Sequence, residues 1–470
     1  MIAAVLACTL LRPTATQGPF ARDFEAYYAA GAVWDAGGDP WSRAVWTVER
    51  GINGVDAARD ELLPYAGPAA TLPLFGALAR LSHPIAVRIW TALLGLAMLA
   101  LVLAAFGLAR DTRATAVVAA LTFAIASGPG TSALALGQIA LLSAAGIGCA
   151  LLAFERGSIA GGALATLAAA TQPNLAPALI ARLRDRTALF GTGLAVLAFA
   201  ALTWWAGDGA RGVLDYAARL AHHADAERFV AIQHTPAAIA ASFGVPGVWA
   251  SALGDVCALA AIALVVIATI RFRLGPRDGA FLAIAALPLA LPFFHEHDFV
   301  IALVPLTVLA LTARRAARVG AGVAAIMIGV DWFGLAQHPA GGAQIIVLGA
   351  VVACAFAALG PGARSTRADL APFVALALLA APALLLGHAF LAPIWPDALP
   401  AHFHAPAHAD ASAVWAAEQH AAGLDAQVPA WGALRAIPLA GCVVLALAII
   451  LASRTPQASP PNDCFGRTGA

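Results

Sequence analysis

Residues 159–180, IAGGALATLAAATQPNLAPALI, have the length and apolar character of a bilayer-crossing helix, but their middle reads Thr171-Gln172-Pro173-Asn174. Proline withholds a backbone donor, and at membrane depth the carbonyl it frees must face protein or a water-filled cavity. The four residues therefore admit two readings, a plain kink between packed helices or an opening of the chain onto a polar cavity. Both require neighbouring helices, and the rest of the chain supplies them. Of 470 residues 61% are hydrophobic and only 11% are charged, with a mean hydropathy of +0.82. That is the balance of an all-α polytopic membrane protein. A net charge of +1, with no basic cluster or aromatic platform, speaks against a nucleic-acid partner. The six cysteines stand singly, without C-x-x-C spacing, and read as small apolar residues and not as a disulfide framework or a metal site.

Further membrane segments are predicted at 68–81 (short), 85–108, 114–127, 133–154, 189–206, 249–270, 279–293, 299–313, 319–336, 343–360, 371–392 and 436–453. Residues 1–11 are apolar for only half a span, which fits a short first helix or a start further upstream better than a signal peptide. Together these give about 12 or 13 spans in one domain over residues 1–453. Three polar loops interrupt them, at 12–66, 207–247 and 393–433, and residues 454–470 read as a disordered tail. Connectors carrying Arg182, Arg184 and Arg186, then Arg271, Arg273 and Arg277, then Arg314, Arg315 and Arg318, and then Arg364 and Arg367 are predicted to be cytoplasmic. The loops at 207–247 and 393–433 then fall on the outer side of an inner, cytoplasmic membrane, and so does the first loop if the short 68–81 segment spans.

The first loop contains RDFEAYYAAGAVWDAGGDPW, residues 22–41. If its first part is helical, Asp23, Tyr27 and Gly31 share one face, a carboxylate and a phenol beside a residue without a side chain, which suggests a sugar-sized notch. Glu25 points about 200° away on the same helix. Gly37-Gly38-Asp39-Pro40 should end the helix and turn the chain.

Four phrases, taken together and in order, carry a resemblance. They are DFEAYYAAG with GGDPW, PYAGPAATLPLFGAL, ALGQIALL at 135–142 and GGALATLAAATQPNLAP at 161–177, with IQHTP and FFHEHDF further on. The chain resembles the polyprenol-phosphate-dependent glycosyltransferases of the GT-C fold, most closely glycosyltransferase family 87, the alpha-mannosyltransferase-like group. It departs from them where Tyr65-Ala66-Gly67-Pro68 replaces Tyr-Pro-Pro and where Gln172-Pro173 replaces Lys-Pro. A Gln can still donate to phosphate, but without charge.

The resemblance implies a GT-C-type fold and transfer of a hexose from a polyprenyl-phosphate donor to a lipid or glycan acceptor among the membrane lipids. It places the catalytic base at Asp23, with inversion at the anomeric carbon. A departing phosphate needs cations or hydrogen-bond donors, for which the choice falls on Arg22, His234, His295 and His297, with Gln138 and Gln172 as neutral donors and Tyr27 and Tyr28 as further substrate contacts. His295 and His297 sit in an ionisable cluster at a span end, a functional candidate by default. His402, His404 and His408 match no zinc spacing, and no metal or cofactor is expected. A lipid-linked sugar flippase and a polymer ligase of the O-antigen type are the competing classes.

Overall fold

The computed structural model describes residues 21–332 and 382–454, apart from 53, 54, 57, 384, 388 and 396, and all regular elements among these residues are helical. The segments expected at 1–11 and 343–360, most of 371–392, Arg364, Arg367 and the 455–470 tail lie outside the described residues. The chain runs through α1 (Arg22–Asp35), α2 (Ala44–Glu49), α3 (Leu72–Ala79), α4 (His83–Ala109), α5 (Ala114–Ala126) and α6 (Gly128–Leu136). It continues through α7 (Ala140–Glu155), α8 (Ile159–Ala169), α9 (Arg186–Ala206), α10 (Gly209–Glu227), α11 (Pro236–Ser242) and α12 (Gly247–Arg271). Last come α13 (Pro276–Ala290), α14 (Leu303–Thr312), α15 (Arg315–Gly329), α16 (Ala411–Ala421) and α17 (Pro429–Ser453).

Four of these helices, α4, α9, α12 and α17, are long and apolar enough to cross a membrane, and the α5–α6 pair, bent by 66°, makes a fifth if counted as one. The chain is an all-α membrane protein. The described residues nevertheless hold fewer continuous spans than the predicted 12 or 13, because several apolar runs are broken. The run predicted at 133–154 is split at Gly137, whose φ of +73° lies in the left-handed region and ends α6. The run at 159–180 stops at Ala169 and resumes as a 3-10 segment, Ala176–Arg184. The run at 299–313 begins as another 3-10 segment, Glu296–Ala302. The short run at 68–81 forms only Ala69–Ala79, below crossing length.

The polar loops also differ from expectation. Residues 22–35 are no solvated connector, since Arg22, Phe24, Glu25, Ala26, Ala29, Ala30, Gly31 and Val33 are buried, and α1 packs along α3. The notch expected at Gly31 is filled. A Cβ there would stand 2.3 Å from the Phe75 carbonyl carbon and 2.7 Å from Gly76 N, so the missing side chain serves a backbone-to-backbone crossing. The loop at 207–247 contains the amphipathic α10, and the loop at 393–433 contains α16, which packs on it.

Gly31→Ala should therefore lower the thermal unfolding midpoint in detergent, with a destabilisation of about 1–3 kcal/mol from forced overpacking. Gly95→Ala in α4, where a new Cβ meets nothing within 4 Å, should leave the midpoint unchanged or raise it slightly. Equal behaviour of the two variants would refute the close crossing.

Candidate active site

Three breaks in the helices meet around one cavity of about 460 Å³. The first is the turn after α6. Trp90 of α4 donates its indole N–H to Gly137 O at 2.7 Å, and Ala21 N donates to Ala135 O at 2.7 Å, which moors the start of α1 at the break. Phe24 stacks on Trp90 with ring centroids 5.5 Å apart. Gln138, freed from either helix, turns its amide to α1: Nε2 donates to Asp23 Oδ2, and Oε1 accepts from the Tyr27 hydroxyl at 2.9 Å.

The second break is Thr171–Asn174, all four of whose residues line the cavity. Ser143 Oγ donates to Ala169 O at 2.6 Å at the end of α8, and Gln172 Nε2 donates to Asp298 Oδ1 at 2.6 Å. Gln172 Oε1 and Asn174 Nδ2 are buried without a protein partner. Unpaired polar atoms on a cavity wall suit a polar ligand.

The third break lies between α13 and α14. His295 N donates to Asp298 Oδ2 at 2.9 Å as the 3-10 segment begins, and the His295 and His297 rings stack at 5.0 Å. His295 Nε2 is 3.2 Å from Glu227 Oε2 at the end of α10. Gln233 fixes this contact. Its Oε1 accepts from Phe294 N at 2.7 Å, while its Nε2 donates to Glu227 Oε2 at 2.9 Å and lies 2.9 Å from His295 Nε2. Trp415 Nε1 donates to Glu227 Oε1 at 2.7 Å. Behind them the buried Arg435 donates to Val230 O at 3.1 Å and Gln233 O at 2.9 Å, holding the turn that carries Gln233.

This packing sets the protonation of the site, which lies outside the four continuous spans. Burial pushes the Asp23 carboxyl up to about 6, although it accepts a hydrogen bond from Gln138. Asp23 is half-buried because it faces the cavity, yet protein encloses it. Burial opposes charge on His295, but the Glu227 carboxylate and Asp298 outweigh it and hold the imidazole above its ordinary range. The same contact, with His223, keeps Glu227 below the usual carboxylate range against its burial. Burial pushes His297 down to about 4, so it is neutral at pH 7, and pushes Glu296 up to about 8. The cavity thus carries a weakly acidic carboxyl on one wall and a cationic imidazole on another.

Of the residues singled out in the sequence, Asp23, Tyr27, Gln138, Gln172, His295 and His297 line this cavity. Arg22, Tyr28 and His234 do not. Arg22 is buried against Glu25 at 2.9 Å and Glu61 at 3.1 Å, Tyr28 donates to Leu81 O at 2.9 Å, and His234 lies behind the wall, 3.1 Å from Glu296. Sequence reading missed Glu227, Gln233 and Trp415. Glu227 had a signal, for Tyr216, Leu220, His223 and Glu227 recur at helical spacing on one face of α10, and all four line the cavity. Among the described residues, His295, His297 and Asp298 are the group whose donor atoms come within 4.8 Å of one another, as a metal site would need; Asp298 accepts from His295 N and Gln172 Nε2 there. His404 instead approaches Asp60, at 3.8 Å.

Residues 65–292 match the model of glycosyltransferase family 87. That stretch takes in Tyr65, Gln138, Gln172 and Glu227, while Asp23 and His295 flank it in sequence and join it in space. No curated protein and no solved structure matches the chain.

Glu227→Gln should lower the His295 pKa, since burial is then opposed by Asp298 alone. Ring-nitrogen NMR of labelled histidine would follow it. An imidazolium persisting at pH 8 in the variant would refute Glu227 as its counter-charge.

Proposed function

We propose that this membrane glycosyltransferase, with its family 87 segment at residues 65–292, moves a mannose-like hexose from a polyprenyl-phosphate donor to a hydroxyl of a lipid or glycan acceptor, with inversion and without a metal. The observation that carries the reading is that Asp23 and His295 both line one cavity. Such a transfer breaks the bond between the anomeric carbon and the phosphate oxygen and forms one from that carbon to the acceptor oxygen. A base must take the hydroxyl proton, and a cation must meet the charge gathering on the leaving phosphate. Asp23 supports the first role. Its carboxyl, pushed up to about 6, is ionised at neutral pH yet more basic than an exposed Asp. The Gln138 amide holds the carboxylate oriented, and Tyr27 holds the amide. His295 supports the second role, with the neutral His297 beside it and the orphan Asn174 amide N–H as a further donor. Glu25 supports neither, since it is buried against Arg22 away from the cavity.

Asp23→Asn should cut transfer by roughly 100- to 10,000-fold in membranes supplied with labelled polyprenyl-phosphate hexose, while donor binding survives. Glu25→Gln should cost far less. The wild-type rate should also fall as pH drops through about 6, because Asp23 then takes up a proton and cannot accept another. Transfer that persists in Asp23→Asn would move the base elsewhere.

The reading puts the cavity on the outer side of the cytoplasmic membrane, supported by the Arg-bearing connectors. Asp225, exposed on α10, tests it. Asp225→Cys in a cysteine-free background should react with an impermeant thiol reagent in intact cells, and protection there with reaction in inverted vesicles would reverse the orientation.

A further inference from the structure

A second cavity of about 530 Å³ adjoins the first, and the two share Pro64, Tyr65, Ala66, Tyr216, Leu220 and His223 as a common partition. Its chemistry differs. Trp41, placed by the Asp39-Pro40-Trp41 turn after α1, lies with its ring centroid 6.2 Å from Tyr65 and 6.0 Å from Tyr216, so an aromatic wall faces both chambers. Its indole N–H is buried without a protein partner. Around it stand Asp39, Asp215, Asp410, Arg43, Arg219 and His222.

The charges favour one ligand class over another. Both Arg side chains are committed. Arg219 pairs with Asp39 at 3.2 Å and lies 5.4 Å over the Trp41 ring, and Arg43 donates to the Pro406 and Ala407 carbonyls at 2.9 and 2.8 Å. His222 is 3.7 Å from Asp410. With three Asp against two Arg, and both Arg turned to protein partners, the lining offers more to a neutral polyol than to a phosphate. Carboxylates and guanidinium groups interleaved around an aromatic ring, with one orphan N–H, suit a neutral polyol, whose hydroxyls bond to both signs while its C–H faces pack on the ring. The volume lies in the range of small-molecule sites, about 300–1,000 Å³.

We infer that this second cavity is a subsite for the sugar units of the acceptor, so that the acceptor is a glycan of at least two residues whose terminal unit passes the Tyr65–Tyr216 partition to reach Asp23. This inference rests on the transferase reading above. The first cavity then takes the donor hexose and the acceptor's terminal ring, and the second grips the rings behind it.

The test measures saccharide binding directly, without donor. Saturation-transfer NMR on the full chain in nanodiscs compares single sugars with di- and trisaccharides of the manno and gluco series, each trisaccharide offered free and as its octyl glycoside. At least one trisaccharide should bind about tenfold more tightly than its monosaccharide, and Trp41→Ala should abolish that gain. Arg219→Ala, on a partly exposed side chain, repeats the test should the Trp41 variant unfold. Equal binding of mono- and trisaccharides, no binding of any, or a gain indifferent to both Trp41 and Arg219 would overturn the subsite. A loss confined to the octyl form would assign the cavity to the lipid and overturn it too. Donor turnover, assayed separately as release of polyprenyl phosphate, distinguishes the failures. Its absence with Trp41-dependent glycan binding intact would sink the transferase reading and spare the glycan site, and the converse would do the reverse.

Discussion

The amide of Gln138 is the contact on which the site depends. It stands where α6 has ended and α7 has not begun, and backbone released inside an apolar protein must find partners within the fold. Here Trp90 and the start of α1 supply them. The break therefore requires α1 to be present, and α1 brings Asp23 and Tyr27 to the two ends of the Gln138 amide. Structural need and chemical arrangement coincide in one side chain.

Charge follows the same logic on the opposite wall. An imidazolium buried alone is costly, and a buried carboxylate is no better. Glu227 and His295 offset one another, and Gln233, Trp415 and Asp298 occupy the remaining lone pairs and protons. Each of these partners arrives on a different element, so the cluster exists only when α10, the turn held by Arg435, the 3-10 segment at 296 and α16 are all in place.

The membrane character, the helical class, the helix at 22–35 and the break at Thr171–Asn174 were legible in the sequence, because hydropathy, Gly and Pro act locally. The meeting of Asp23, Gln138, Gln172 and His295 was legible only as a resemblance, for no local rule joins residues this far apart in the chain. The break at Gly137 was lost in an apolar run, since a single Gly is compatible with a continuous helix, and the partner of the freed backbone, Ala21 N on Ala135 O, comes from far along the chain. Arg22 misled because a cation beside Asp23 looks free in sequence, whereas the fold surrounds it with Glu25 and Glu61. Glu227 lies in the polar loop at 207–247, and only the amphipathic phase of α10 turns it inward.

The backbone crossing of α1 on α3 at Gly31 has a mechanical meaning. With no side chain between them, and with Arg80 bidentate on Asp35 at their far end, the two helices have little room to slide and act as one stiff jaw. A substrate that reaches Asp23 therefore meets a wall whose two helices move as one body, with the carboxylate carried on it.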